Sequence, residues 1–291
     1  MIPGNHNFKT TKQCKLKKGK IKMSKLTVIY ENGTISVIDY KNNSVRGKAI
    51  KALLINFGLV EVPKSTNEHR IFKAFNLRVL KTGKEFLHIT EHGSGTKMHD
   101  IESISTSCQR NEYCVARSKI PGTICEKCYA DTYLDMRDKL AEYCERNFDI
   151  LNAGIIKPEC LPEINTDIFR FESFGDVATV YAVINFFNIC YKNKNTQFTV
   201  WTKNYFLYWK VIKKLGYRKP KNLILIVSSP YINRKLDISN FEFANKVFTV
   251  YDAKYIKENS IDINCGSRDC RGCMKCYTRN DKTKYIAEKK K

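Results

Sequence analysis

Three cysteines within residues 114–128 have the types and spacing of a metal site. Two residues separate Cys125 from Cys128, which places both sulfurs on one side of a tight turn, and a Pro-Gly turn lets Cys114 approach the pair. Zinc ions and iron–sulfur clusters are both held by thiolates in this way. Three protein ligands leave one coordination position for water, substrate or cofactor. We therefore predict a metal site here, with Cys108 as an alternative fourth ligand that would close that position.

A second group of cysteines lies near the carboxyl terminus, where four thiols fall within twelve residues. Two overlapping Cys-x2-Cys spacings are typical of the cysteine run of bacterial-type ferredoxins, in which consecutive thiols hold one cubane cluster. A zinc knuckle is the alternative, although a longer loop usually separates its two Cys-x2-Cys pairs. We favour an iron–sulfur cluster over zinc, and over unligated thiols, for this group, which consists of Cys265, Cys270, Cys273 and Cys276.

The composition is that of a globular protein. The chain has 291 residues, of which 43% are hydrophobic, so it can bury a sizeable core. No run approaches the ~18 apolar residues of a membrane span, and the Lys-rich start lacks the apolar stretch of a secretory signal. A cytoplasmic location is the default expectation. Twelve cysteines in that setting indicate metal ligands or reduced thiols rather than disulfides.

The formal net charge of +22 would attract nucleic acid or another polyanion. Lys and Arg are spread along the chain, with concentrations at residues 9–25 and 289–291. The alternative is that the charge only keeps the protein in solution. Nucleic acid is therefore a candidate partner, and no membrane partner is expected.

The first hundred residues predict a small module ahead of the main fold. Residues 1–25 carry eight Lys and no acidic residue, so we expect a disordered basic arm. Two β-branched runs joined by an Asn-Gly pair predict a hairpin over residues 26–39, and helical spacing of apolar residues predicts a helix over residues 44–57. This ββα module and its connecting strands would extend to residue 100. The three histidines between positions 88 and 99 fit no zinc pattern and predict a polar loop.

The rest of the chain alternates strand-like and helix-like segments. Repeated βα units form right-handed crossovers onto a parallel sheet. We therefore predict an α/β fold with a partial or complete (β/α) parallel barrel over residues 101–260, followed by a Cys-rich metal-binding tail over residues 261–291. One helix is expected over residues 131–152, with Cys144 in the core. The predicted strands cover residues 101–105, 168–174, 197–202, 222–228 and 246–251.

Polar side chains at the carboxyl ends of these strands become candidates for the working site, because barrels carry their chemistry at that edge. Arg170 and Glu172 are two residues apart and would share a face of their strand, where charges are costly unless they form an ion pair or belong to a site. Glu172 and Lys203 are the candidate catalytic residues, with a structural ion pair and a surface lysine as the respective alternatives. The candidate cofactor-binding residues are Ser173, Asp176 and Ser228.

Several of these stretches resemble a family of phage proteins named for gene product 88. The likeness covers roughly residues 100–280 and implies a phage or prophage origin, and therefore the cytoplasm of a host cell. It rests on residues 103–107, 125–130 (Cys-Glu-Lys-Cys-Tyr-Ala), 170–176 (Arg-Phe-Glu-Ser-Phe-Gly-Asp), 201–204, 228–230, 247–252 and 264–276.

The chain is also similar, more weakly, to radical S-adenosylmethionine enzymes. The shared features are a parallel barrel, a Cys-rich loop after the first strand that ends in Cys-x2-Cys-Tyr-Ala, and a downstream Cys cluster. This similarity implies a [4Fe–4S] cluster on Cys114, Cys125 and Cys128, whose open iron would chelate S-adenosylmethionine, and an auxiliary cluster in the tail. The loop here reads Cys-x10-Cys-x2-Cys where the family has Cys-x3-Cys-x2-Cys, and residues 171–173 replace its Gly-Gly-Glu.

Two functions therefore stay open. The first is an iron–sulfur enzyme of radical-SAM-like type with an open three-Cys cluster, for which the positive charge suggests nucleic acid or a nucleotide as substrate. The second is a non-enzymatic protein in which zinc or closed clusters stabilise the fold and the basic surface binds nucleic acid or a host protein. Cys108 discriminates between them, because a fourth ligand would close the first site.

Overall fold

The computed structural model describes residues 87–266, 269–279 and 282–290 in full. Towards the amino terminus it gives the backbone of four strands, β1 (Ser24–Tyr30), β2 (Ile35–Tyr40), β3 (Val60–Glu61) and β4 (Leu77–Val79). β1 and β2 pair antiparallel, which confirms the predicted hairpin, and β4 pairs with the other edge of β1. The helix predicted over residues 44–57 and the basic arm before β1 lie outside the described residues.

A six-stranded parallel sheet forms the main body, and its strands lie side by side in chain order. The predicted α/β fold with a parallel sheet is confirmed. Within the described residues the two edge strands do not pair with each other, so the sheet is open and the predicted barrel closure is not shown. The strands are β5 (Glu102–Ile104), β7 (Ile168–Phe171), β8 (Gln197–Thr202), β9 (Leu223–Ser228), β10 (Lys246–Tyr251) and β11 (Tyr285–Lys289).

The sixth strand, β11, lies in the segment predicted only as a Cys-rich tail. It runs parallel to β10, with Tyr285 opposite Val247 and Lys289 opposite Tyr251. Its sequence, Tyr-Ile-Ala-Glu-Lys, contains one β-branched residue, which is a weak strand signal. A further short strand, β6 (Ile155–Ile156), pairs antiparallel with β3 outside the main sheet.

Helices connect the strands. Asn111, Thr179 and Asp252 each begin a helix by accepting a hydrogen bond from a backbone N–H two or three residues further on. The helix predicted over residues 131–152 is in fact two helices, because the backbone at Arg137 leaves the helical region (φ −135°, ψ 86°). The helices are α1 (Glu112–Ser118), α2 (Tyr129–Met136), α3 (Asp138–Ala153), α4 (Val180–Lys192), α5 (Tyr205–Trp209, continued by a π turn over Lys210–Lys214), α6 (Ala253–Asn259) and α7 (Cys270–Cys273).

Short 3-10 turns cover Pro158–Cys160 and Ile238–Asn240. Of the helices in the part of the chain that the structure describes, none combines the length and the apolar character needed to cross a bilayer.

The two faces of the sheet bury different sets of side chains. Alternate residues of the central strands, such as Phe169, Val200 and Leu225, point to one face and belong to the main core with residues of α3, α4 and α5. Trp201 points to the opposite face and packs there with cysteines of the carboxyl-terminal segment. Cys144 is buried, as predicted, in a smaller cluster beside α2 and α3.

A buried amide on α4 holds the turn between α3 and β6. Asn185 accepts a hydrogen bond from the N–H of Ile156 (2.8 Å) and donates to the carbonyls of Leu151 (2.9 Å) and Gly154 (2.8 Å). The side chain is fully buried. A buried polar group left without a hydrogen-bond partner costs about 1–3 kcal/mol. These three bonds therefore hold α3 and α4 together.

Asn185→Leu is expected to lower the free energy of unfolding by roughly 3 kcal/mol or more, because it leaves three buried backbone groups unpaired. Asn259→Leu is the matched control, since Asn259 is exposed and bonds a single helical carbonyl. Urea unfolding followed by circular dichroism measures both changes. Equal stability of the two variants would contradict the role assigned to Asn185.

Candidate functional site

A cavity of about 310 Å³ lies at the carboxyl edge of the sheet. The loops after β5, β7 and β8 meet there, because parallel strands bring the segments that follow them to one edge. Four cysteines of one loop line the cavity together with three charged residues from the strand ends. The structure thus brings together the first group of predicted ligands, both predicted catalytic residues and one predicted cofactor-binding residue, Asp176. They are Cys108, Cys114, Cys125, Cys128, Glu172, Lys203 and Asp176.

Hydrogen bonds tie the Cys loop to three strand ends. Asn111 caps α1 and donates from Nδ2 to the carbonyl of Asp176 (2.7 Å), which follows β7. The Tyr113 hydroxyl donates to the first backbone carbonyl after β8 (2.8 Å). The N–H of Ile124 donates to the carbonyl of Pro230 (2.9 Å), after β9. The positions of the thiols are therefore set by the sheet.

The thiols differ in how readily they lose a proton. Cys108 and Cys128 lie next to each other, and the interaction between their thiols raises the pKa of Cys108 and lowers that of Cys128. Burial raises the pKa of Cys114 and of Cys125, and the Lys203 cation opposes both shifts. Cys128 is thus the thiol that most readily becomes a thiolate, the form that binds metal.

Glu172 occupies the turn after β7 in a left-handed backbone conformation (φ 57°). Its carboxyl accepts hydrogen bonds from the N–H of Thr106 (2.9 Å) and from the hydroxyl of the same residue (2.8 Å). Burial raises the pKa of Glu172 well above its usual range, the Thr106 bonds oppose this shift and the Asp176 charge adds to it. The direction of this shift favours the protonated carboxyl, the form that can donate a hydrogen bond or a proton within the cavity.

The Asp176 carboxylate is bonded on both oxygens to the protein itself. Oδ1 accepts from the hydroxyl of Thr202 (2.7 Å) and from the N–H of Val177 (2.8 Å). Oδ2 accepts from the N–H groups of Lys203 (2.7 Å) and Asn204 (3.2 Å). Asp176 therefore joins the loops after β7 and β8 and forms a wall of the cavity.

The Lys203 side chain is half-buried and lines the cavity beside the thiols. Burial alone would lower the pKa of Lys203, but the nearby Cys125, Asp176 and Tyr129 groups together raise it. Lys203 is accordingly a cation at neutral pH, and an ammonium in this place offsets the negative charge of neighbouring thiolates.

The predicted sharing of one strand face by Arg170 and Glu172 is wrong. β7 ends at Phe171, and the positive φ of Glu172 breaks the alternation of side chains. The Arg170 guanidinium lies 4.2 Å from the centre of the Trp201 ring and donates to the sulfur of Met98 (3.0 Å). Arg170 nevertheless reaches the cavity, where it and Trp201 form part of the lining.

The other predicted cofactor residues, Ser173 and Ser228, are buried and are not among the side chains that line the cavity. Ser173 takes part through its backbone, whose carbonyl accepts a hydrogen bond from the Tyr129 hydroxyl. Tyr129 and Tyr113 line the cavity and were missed by the sequence analysis. Their position next to Cys128 and Cys114 in the sequence was the signal that could have found them.

The second cysteine group packs on the face of the sheet opposite the main core. Cys276 contacts apolar residues of β7, β8 and β9 in two clusters there. The Lys97 ammonium lies 3.6 Å from the Cys265 sulfur and 3.0 Å from the Glu288 carboxylate. Burial raises the pKa of Cys276 to about 12. Neighbouring thiolates of this group also raise the pKa of Cys265, of Cys270 and of Cys276. The group consists of Cys265, Cys270, Cys273 and Cys276.

Among the residues that the structure describes, no three His, Cys, Asp or Glu side chains stand close enough together to hold a metal ion. The three histidines lie in a loop, as predicted, where His92 is 3.0 Å from the Ser103 hydroxyl.

No protein-family model, curated protein or solved structure matches this chain.

One glycine sets the turn that carries Glu172. Gly175 has a positive φ of 81°, and a Cβ added there would lie 2.4 Å from the carbonyl oxygen of Thr106. Gly216 has a similar φ of 75° with no atom within 4 Å of an added Cβ. The two positions share the left-handed backbone and differ in the space beside it.

Gly175→Ala should therefore destabilise the protein by roughly 2–4 kcal/mol, from backbone strain together with a steric clash. Gly216→Ala should cost about 1 kcal/mol, from backbone strain alone. Chemical denaturation of the two variants and the parent chain gives both values. If Gly175→Ala were no less stable than Gly216→Ala, the close approach of the Thr106 carbonyl would not be what requires glycine at position 175.

Proposed function

We propose that this chain is a metal-binding protein, an iron–sulfur enzyme of radical-SAM-like type whose first cluster binds in the cavity at the carboxyl edge of the sheet. The observation that carries the proposal is that four thiols of one loop line that cavity beside Glu172 and Lys203. Cysteine sulfurs are the usual ligands of iron–sulfur clusters, and strand-end residues are where α/β enzymes place their chemistry.

The donor set supports metal binding in two ways. The pKa of Cys128 is lowered, which is the direction a metal-binding thiolate requires. Lys203 brings a positive charge to the thiols, and charges around a site of this kind stabilise the bound group. The thiols are gathered but not at ligand distances, so binding would draw the loop inwards.

The roles of the residues follow from their placement. Cys114, Cys125 and Cys128 would hold a cluster with one open iron. When bound, such a cluster supplies an electron and a coordination position for S-adenosylmethionine. Glu172 places in the cavity a carboxyl whose raised pKa favours the protonated form, and Lys203 presents a cation to an anionic group of a ligand. An auxiliary cluster would bind to Cys265, Cys270, Cys273 and Cys276.

The order of the strands supports a partial barrel. Six parallel strands follow one another in chain order, and α3, α4 and α5 pack on one face of the sheet. Continuous winding in one direction is how (β/α) barrels are built. We infer that the sheet is a barrel segment with the thiol cavity at its carboxyl end.

A closed structural site is the second candidate, and Cys108 favours it. Cys108 lines the same cavity and its thiol interacts with that of Cys128, so it stands where a fourth ligand would bind. A four-thiol zinc or cluster site would stabilise the fold without an open position for a substrate.

Protein purified without oxygen should carry roughly eight irons and as many sulfides per chain if two cubanes bind. Cys125→Ala should halve the iron, because it removes a ligand of the first cluster. Cys160→Ala is the matched control, since Cys160 is a half-buried cysteine outside both groups, and should leave the iron unchanged. Iron, sulfide and zinc assays on each variant give the result.

Cys108→Ala separates the two candidates. An open cluster should keep its iron in this variant and should cleave added S-adenosylmethionine after reduction with dithionite, whereas a closed site should lose metal. Stoichiometric zinc without iron would overturn the iron–sulfur proposal. A chain that holds neither metal would overturn both candidates.

A further inference from the structure

Positive charge is concentrated in a part of the sequence that lies between the two groups of cysteines. The sixty residues from 177 to 236 contain eleven Lys or Arg and no Asp or Glu. Six of the eleven fall between Lys210 and Lys221, the segment that leads from α5 to β9. This internal concentration adds to those at the two ends of the chain and lies in the described fold.

Two aromatic rings are stacked on the same surface. Phe206 is 59% exposed, and its ring lies 5.3 Å from that of Trp209, with 22° between the planes. Trp209 also packs against the main core, which fixes the pair from below. The Lys214 ammonium lies 5.3 Å from the centre of the Trp209 ring. An exposed, fixed pair of rings is a surface on which a further flat ring can stack.

The rings and the cations share one side of α5 and its π turn. Trp209 follows Phe206 by three residues, Lys210 comes next, and Lys213 lies three residues further on. Residues with these spacings lie on one face of a helix. Val211, on the other side, is fully buried in the main core. The face that α5 presents outwards therefore carries two aromatic side chains followed by basic ones.

The turn after α5 adds cations that repel one another. The Lys219 ammonium donates to Asn245 Oδ1 (2.5 Å), and Arg279 donates to the carbonyl of Lys221. Burial lowers the pKa of Lys219 to about 8, and the charges of Arg279 and Lys284 contribute to this shift. A bound anion would relieve the repulsion among these groups.

One carboxylate interacts with the face of α5. Glu242 lies 3.0 Å from the Lys213 ammonium, and the two side chains are 77% and 47% exposed. Exposed ion pairs contribute little to stability. A phosphate can therefore replace the Glu242 carboxylate beside Lys213 at a small cost in free energy.

We propose that the outer face of α5, formed by Phe206, Trp209, Lys210, Lys213 and Lys214, binds single-stranded nucleic acid. Unpaired bases stack on the two rings, and phosphates bind to the lysines and continue onto the basic turn at residues 218–221. Proteins that bind single strands without sequence preference use two interactions: bases stack on aromatic side chains, and phosphates of the nucleic-acid backbone contact lysines. The inference does not depend on whether the thiols bind metal.

The test is fluorescence anisotropy of the full chain with a labelled oligo(dT) of about 20 nucleotides, long enough for one site of this kind, at several salt concentrations. The triple variant Lys210→Gln, Lys213→Gln, Lys214→Gln should bind about tenfold or more weakly, and its salt dependence should be shallower by about two units of slope, because three phosphate contacts are lost. Phe206→Ala should weaken binding about fivefold or more, and Phe206→Tyr, which keeps a ring, should restore it.

The matched control is the double variant Lys254→Gln, Lys257→Gln, which removes exposed lysines from α6 and should bind like the parent chain. A triple variant that binds as tightly as the parent, or a control that loses as much affinity, would overturn the assignment to α5. A duplex of the same length should bind more weakly than the single strand. Equal or tighter binding of the duplex would overturn the stacking part of the proposal. Thermal melting checks that the variants, all at exposed side chains, remain folded.

Discussion

The buried carboxylate of Asp176 joins the segments on which the cavity depends. Its oxygens accept hydrogen bonds from the backbone after β7 and β8, and its carbonyl accepts one from Asn111 at the start of α1. Burial raises the pKa of Asp176, whereas the Lys203 charge and these donors act in the opposite direction. Because a buried carboxylate without such partners is strongly destabilising, the three segments have to stay together. The thiols of α1 and the loop after it are thereby held against the strand ends.

Hydrophobic pattern located the regular strands, because side chains buried on both faces leave a continuous apolar or β-branched run. Gln197–Thr202 and Lys246–Tyr251 have the predicted bounds for this reason. The pattern failed where a contact from elsewhere in the chain decides the backbone. The turn at Glu172 is fixed by Thr106, and β11 is fixed by pairing with β10. A single sequence carries no local signal for the turn and only a weak one for β11.

In the candidate site, too, the sequence predicted the features that depend on strand order and missed those that depend on side-chain contacts. The cysteines, Glu172 and Lys203 could be predicted to meet, because parallel strands bring their carboxyl ends to one edge. The stack of Arg170 on Trp201 could not, since it joins neighbouring strands through side chains on the face away from the main core. The basic and aromatic face of α5 was also missed, because its cations are interleaved with core residues such as Val211 and form no continuous run.

The face of α5 begins next to the thiol cavity. Lys203 lines the cavity, and α5 starts two residues later, so Phe206 lies near the carboxyl edge of the sheet. The helix and its π turn then lead back towards the amino ends of β9 and β10, where Lys219 bonds to Asn245. Ten residues at 1.5 Å each span about 15 Å. A single strand on this face would therefore run from the edge of the cavity to the basic turn, which would place one of its ends beside the thiols, and the same surface would still bind nucleic acid if those thiols were purely structural.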